Sequence, residues 1–191
     1  MKNIVIEGSR GVGKSTVTQL LRAKILNCTL INFTGFNEGG EVGLAQTIKY
    51  YSTWFGLFNS MKGTNSVYIH DRFYLSEMVY SNIYKDYDFE PYYNKFNNLV
   101  AQCFEDFHLV ILVLEDEKEF DKRLKSRKKT KLFGRVSEEA RESMEQQAGY
   151  IYHGNHIPPN AGIKLHYISV DKKSPDDIVQ EIIEKTLLLQ T

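Results

Sequence analysis

The chain is poor in the features that staple, anchor or coat. Only two cysteines, Cys28 and Cys103, occur in 191 residues, with no Cys-x-x-Cys pair and no histidine near them at metal-ligand spacing. That excludes a disulfide framework and a cysteine-based zinc site, and leaves two ordinary thiols of a reducing compartment. No apolar run reaches the ~18–20 residues that cross a bilayer. A strand pattern begins at Lys2, which leaves no room for a signal peptide and sets the expectation of a cytoplasmic protein without a membrane partner. Excess charge of either sign is missing too, since Lys plus Arg and Asp plus Glu both number 24. Coating duplex nucleic acid needs a basic surface that neutralises phosphates, so the balance argues against that role. A small anion needs only a few converging cations and stays compatible. Repeats, low-complexity linkers and composition breaks are absent, so residues 1–191 read as one domain.

Hydrophobic residues make up 42% of the chain and charged residues 25%, which suits a sizeable core and not a disordered segment. Ile4-Val5-Ile6 is a short apolar strand, followed by a Gly-rich segment and a helical pattern from Lys14 to about Leu26. Further strands are predicted at Thr29–Phe33, Ser66–His70, His108–Leu114 and Lys164–Val170. The fourth is the most apolar and should lie centrally in a sheet covered on both faces. Helices are predicted between them at Leu44–Met61, Leu75–Tyr84, Tyr92–Glu105, Glu117–Arg127, from Ser137 onward, and after Ser174-Pro175. Strands alternating with helices predict a three-layer α/β fold around a parallel sheet.

The segment Gly8-Ser9-Arg10-Gly11-Val12-Gly13-Lys14-Ser15 matches G-x-x-x-x-G-K-[ST] at every fixed position, with Thr16 next. Glycines let the backbone curl until successive N–H groups face phosphate oxygens, and the following helix adds its positive end. Lys14 is placed to reach the β- and γ-phosphates of ATP, and the Ser15 hydroxyl to ligate Mg²⁺. An N-K-x-D guanine signature is missing, which argues against a GTPase. Asp71-Arg72-Phe73 stands directly after the third predicted strand instead. A basic run follows later, with Lys122, Arg123, Lys125, Arg127, Lys128, Lys129 and Lys131. Arg123 and Arg127, four apart, share a helix face and can converge on a phosphate chain. A merely solvated charged face is the other reading of such a run.

Ile6-Glu7-Gly8 into the Gly-rich loop, Asp71-Arg72-Phe73 and Arg123-x-x-x-Arg127 together resemble the thymidylate kinase and deoxynucleoside kinase group of P-loop kinases. Ser76-Glu77-Met78-Val79-Tyr80 after the triplet is similar to phage-type members. The resemblance implies a five-stranded parallel sheet in the order 2-3-1-4-5, with a lid over ATP at about residues 123–137. It implies that Asp71 acts through Mg²⁺ or as a base, that Arg72 holds an acceptor or transferring phosphate, and that Arg123 and Arg127 work in the lid. It also implies an aromatic from the second helix stacking on the acceptor base. Tyr50, Trp54 and Phe58 recur every four residues there, and one of Trp54, Phe55 or Phe58 is expected to serve. Glu77 and Tyr80 are further acceptor-side candidates. The implied acceptor is a small deoxynucleoside monophosphate, thymidylate first. A nucleoside hydroxyl, a base or end in DNA, and a non-catalytic ATP-binding regulator are alternatives, and a homodimer is compatible with all. The chain departs from thymidylate kinases in having Arg10 where they often have Asp. It also lacks Arg-Glu-Pro after the second strand and an arginine in the aromatic helix. Gly11 resembles the members that place catalytic arginines in the lid.

Overall fold

The computed structural model describes residues 1–33, 35–125 and 140–188, together with the backbone of 131–132 and 135–136. Five strands form a parallel sheet: β1 (Lys2–Gly8), β2 (Cys28–Asn32), β3 (Val67–Asp71), β4 (Asp106–Val113) and β7 (Ile163–Ser169). Between the last two, β5 (Lys131–Leu132) and β6 (Arg135–Val136) make a short antiparallel hairpin. The sheet order is β2-β3-β1-β4-β7, the expected 2-3-1-4-5 once the hairpin is set aside. Seven α-helices are described: α1 (Lys14–Lys24), α2 (Gly40–Ser60), α3 (Tyr74–Tyr84), α4 (Glu90–Cys103), α5 (Glu117–Lys125), α6 (Ala140–Asn155) and α7 (Pro175–Ile183).

Alternation along β1 sorts the two cores. Ile4 and Ile6 face one side, where they meet Val17 and Leu21 of α1 and Ile178 and Ile182 of α7. Val5 faces the other, against Phe55 and Phe58 of α2, Met78 of α3 and Phe96 of α4. Strand β4 is buried from Phe107 to Leu112 without alternation, as a strand covered on both faces should be. Each such enclosed side chain contributes about 1.5–3 kcal/mol.

Some boundaries moved for tertiary reasons. Helix α2 starts at Gly40, four residues before the predicted Leu44. Its entry is closed by Asp86, whose Oδ1 accepts the Gly40 N–H at 2.5 Å. A Cβ on Gly43 would lie 2.2 Å from the Glu38 carbonyl oxygen, so that glycine serves close packing inside the helix and not a loop. Helix α7 opens on a capping box, with Ser174 and Asp177 exchanging side-chain-to-backbone hydrogen bonds at 3.2 Å each. Of the expected lid at 123–137, the end of α5 and the β5–β6 backbone are described, and the remainder, Arg127 included, lies outside the described residues. No helix among the described residues is long and apolar enough to cross a membrane.

Candidate active site

Parallel strands end on one edge of the sheet, and β1 lies between β3 and β4. Ile6 is paired with Asp71 and Gly8 with Leu112, so the Gly-rich loop and the Asp71-Arg72-Phe73 turn emerge side by side. Open α/β sheets bind ligands at this carboxyl edge.

The loop is built by close approach. Gly8 has φ 140°, and a Cβ there would stand 2.7 Å from the Leu112 carbonyl oxygen. Gly13, at φ 99°, is the N-cap of α1 and offers no capping side chain, and the first turn of α1 carries no acid. The positive end of α1 therefore faces the loop without a capping side chain or an acid of its own first turn. Val12 belongs to the core, Ser9 and Gly11 are buried, and Ser15 and Thr16 are exposed at the start of α1. Leu124 and Phe120 of α5 close over Gly11. Lys14 is only 6% exposed, and its Nζ donates to the carbonyls of Gly8 at 2.6 Å and Ser9 at 2.7 Å. It is thus packed into the loop and not held out on a rim.

Asp71 ends β3 with its Oδ1 buried and unmatched by any hydrogen-bond partner among the described residues. Its Oδ2 lies 3.5 Å from the Thr18 hydroxyl, one turn after Ser15 on α1. A carboxylate oxygen facing α1 is the kind of ligand that a hard divalent cation takes.

Arg72 sits at φ 71°, a left-handed conformation that strains a non-glycine residue. Two contacts hold it there. Its own N–H donates to the Ile6 carbonyl at 3.1 Å, and the Phe73 N–H donates to Glu7 Oε1 at 2.7 Å. The guanidinium donates to the Tyr80 hydroxyl at 3.1 Å and lies 5.4 Å from that ring's centre. Burial works against its charge, but Tyr80, Tyr150 and Glu7 outweigh burial and raise its pKa above the ordinary value.

Glu7 is the residue to which motif reading gave no role. It is wholly buried, and it also accepts from the Ser76 N–H at 3.2 Å and, through Oε2, from the Ser76 hydroxyl at 2.6 Å. With that proton committed, the Tyr150 hydroxyl of α6 supplies the 2.8 Å bond to Ser76 Oγ. Burial pushes the Glu7 pKa up to about 7, against the opposing pull of Ser76, Arg72, the Phe73 N–H and Lys14. The signal was present, since an acid inside an apolar strand is unusual and must be partnered.

Arg123 lands elsewhere than expected. Its Nε donates to Glu119 Oε1 at 2.9 Å, and its other nitrogens reach the carbonyls of Val12 at 3.5 Å and Val170 at 3.4 Å. It therefore bridges the outer flank of the loop to the end of β7. There it lines a cleft of about 290 Å³ with Asp116, Glu119, Lys122, Asp171, Lys172 and Lys173. Asp171 shapes the rim by accepting the N–H groups of Glu115 at 2.9 Å and Asp116 at 3.2 Å.

The aromatic helix narrows an expectation. Phe55 is stacked between Phe73 at 5.5 Å and Phe96 at 5.1 Å, and Phe58 is 0% exposed against Phe104 and Trp54. Neither ring has a face open to a base. Trp54 remains half-buried, edge-on to Phe33 at 5.1 Å. Glu77 is 2% exposed and binds the Lys85 ammonium and the Tyr87 hydroxyl through Oε1. Its Oε2 lies 3.5 Å from where a Cβ on Gly35 would stand, so the loop after β2 passes directly over it. Arg72 and Tyr80 thus meet beside α3, while Glu77 on the same helix is turned to Lys85 and Tyr87.

Neither a protein-family model nor a curated protein matches the sequence. Solved structures match in fold. YorR from Bacillus subtilis, solved with phosphorylated GDP, shares 23% identity over 95% of this chain and 94% of its own, at a TM-score of 0.64. Thymidylate kinase from Candida albicans shares 16% over 96% and 91%, at 0.61. Deoxyadenosine kinase from M. mycoides, solved with dCMP and dCDP, shares 17% over 96% and 97%, at 0.54. The sheet order and the flanking helices agree with theirs, and the chain has the P-loop kinase fold.

Proposed function

We propose that this protein transfers the γ-phosphoryl group of ATP to a small deoxynucleoside monophosphate, thymidylate being the first to test. The observation that carries the reading is the pairing of Ile6 with Asp71. It sets a lysine-bearing Gly-rich loop beside a carboxylate and a half-buried guanidinium at one sheet edge. Phosphoryl transfer asks the protein for positioned charge more than for covalent chemistry, and these are the charges it asks for.

In this reading the loop amides and Lys14 hold the β- and γ-phosphates. Lys14 exchanges its two carbonyl partners for phosphate oxygens, whose full charge makes them the stronger acceptors. The open cleft beside Arg123 takes the adenine, with the planar guanidinium as one wall. Arg123 accordingly serves ATP binding at the base end. On the acceptor side, Arg72 presents a cation held in place by Tyr80 and the Glu7-clamped turn, and Trp54 is the remaining aromatic of α2 for the base. Ser15 and Asp71 are the residues that would hold Mg²⁺. Bound there, the ion supplies charge neutralisation between the phosphates.

The test is an acceptor screen with γ-labelled ATP over nucleosides, nucleoside monophosphates and oligonucleotides. Label transfer to a monophosphate is the expected result. Transfer only to nucleosides or oligonucleotides would move the acceptor, and ATP binding without transfer to any class would overturn the kinase reading.

A further inference from the structure

Helix α6 carries a polar face into the interior. Ser143, Gln146 and Tyr150 are each 0% exposed, at the i, i+3, i+7 spacing of residues that normally build an apolar stripe. Gln147 docks the helix by clamping both backbone groups of Leu114 at the end of β4, at 2.8 and 2.9 Å. Gln146 does something different. Its Oε1 accepts the N–H of Arg10, inside the Gly-rich loop, at 3.0 Å, and its Nε2 donates to the Tyr84 hydroxyl of α3 at 2.7 Å. The Tyr84 hydroxyl in turn donates to Glu142 Oε1 at 2.5 Å. Burial and Glu142 raise the Tyr84 pKa, so the phenol stays protonated and the direction of each bond is fixed. One turn back along α3, the ring of Tyr80 lies 5.5 Å from that of Tyr84, and Tyr80 holds Arg72.

A continuous chain of contacts therefore runs from a loop amide, through one side-chain amide, to the guanidinium on the acceptor side. We infer that Gln146 is a positioning residue that couples the Gly-rich loop to α3, so that filling the ATP site and filling the acceptor site favour one another. The inference rests on the kinase reading above. A side-chain amide suits the task because only a group that donates and accepts at once satisfies both neighbours, and in a buried site an unsatisfied partner is costly. Coupling of this kind is reciprocal, so it is measurable from either ligand.

The experiment measures ATP affinity by calorimetry, with and without a monophosphate acceptor, in wild type, Gln146→Leu, Gln146→Glu and Tyr84→Phe. Gln146→Leu should weaken ATP binding about tenfold, the factor of one lost part-buried hydrogen bond, and erase the effect of acceptor. Gln146→Glu keeps the shape and the acceptor for the Arg10 N–H but loses the donor to Tyr84, so it should hold ATP affinity to within about twofold and still lose the acceptor effect, a split that a packing role would not produce. Tyr84→Phe should keep ATP affinity but lose the acceptor effect. Unchanged ATP affinity and acceptor effect in folded Gln146→Leu would overturn the inference. If that variant fails to fold, a full acceptor effect in Tyr84→Phe overturns it equally. A wild type that phosphorylates an acceptor while these variants keep their coupling defeats this inference alone. A wild type that phosphorylates nothing defeats the kinase reading, and the Leu and Glu affinities still decide whether Gln146 holds the loop.

Discussion

Glu7 makes the stability of this protein depend on pH in a direction opposite to most carboxylates. Burial raises its pKa from 4.5 to about 7. The unfolded chain therefore releases this proton near pH 4.5 while the fold keeps it. Stability from this group is fully present below that value and falls as pH climbs toward about 7, where the fold ionises too and the loss levels off. Each tenfold change in proton affinity is worth about 1.4 kcal/mol, so the whole loss is about 3 kcal/mol. Glu7→Gln removes the charge and keeps the shape. Its oxygen still accepts the Phe73 and Ser76 N–H groups, and its amide meets a Ser76 hydroxyl that can turn to accept it. The variant should show no such loss, and by about pH 8 it should match or exceed wild type in stability. Denaturant unfolding of both proteins from about pH 5 to about pH 8 tests this, because every other titrating group is common to the two. Parallel stability curves would refute the reasoning. They would mean that Glu7 ionises inside the fold as easily as outside it.

Lys14→Ala should lower turnover by about 10²-fold or more while thermal unfolding still shows a folded protein, and full activity in the folded variant would remove the loop from the chemistry. Arg72→Ala should abolish acceptor phosphorylation and leave ATP affinity within about tenfold, which binding and steady-state assays separate. Arg123→Ala should raise the KM for ATP about tenfold with little change in kcat, whereas a kcat loss on the order of 10³ would place its guanidinium at the transferring group after all. Gly8→Ala should destabilise the protein by about 3 kcal/mol or more, because the new Cβ meets the Leu112 carbonyl at a backbone angle that side chains avoid. A wild-type melting temperature would show that the loop can shift to make room.

Much of the fold was legible because its signals are local. The Gly-rich loop is a contiguous eight-residue pattern, the strands are short apolar runs, and alternation with helices leaves few topologies open. The Asp71-Arg72 turn was readable for the same reason, since it follows its strand directly and the parallel order brings it to the loop. Local pattern could not say what covers a face. Tyr50, Trp54, Phe55 and Phe58 look alike along α2, yet Phe96 of α4 covers Phe55, Phe104 and His70 cover Phe58, and Tyr50 and Trp54 stay half-buried. Helical spacing put Arg123 on a face with Arg127, but only packing of α5 against the loop and β7 turned its guanidinium toward Val12 and Val170. Gln146 carries no motif, and Glu7 stands in one only as the lead-in to the Gly-rich loop, with no role attached. Their meaning comes from residues 66 to 136 positions away, Phe73 and Ser76 for one and Arg10 for the other. A side chain's chemistry is set by sequence, but its partner, and so its pKa and its role, is set by whatever the tertiary fold brings within hydrogen-bond reach.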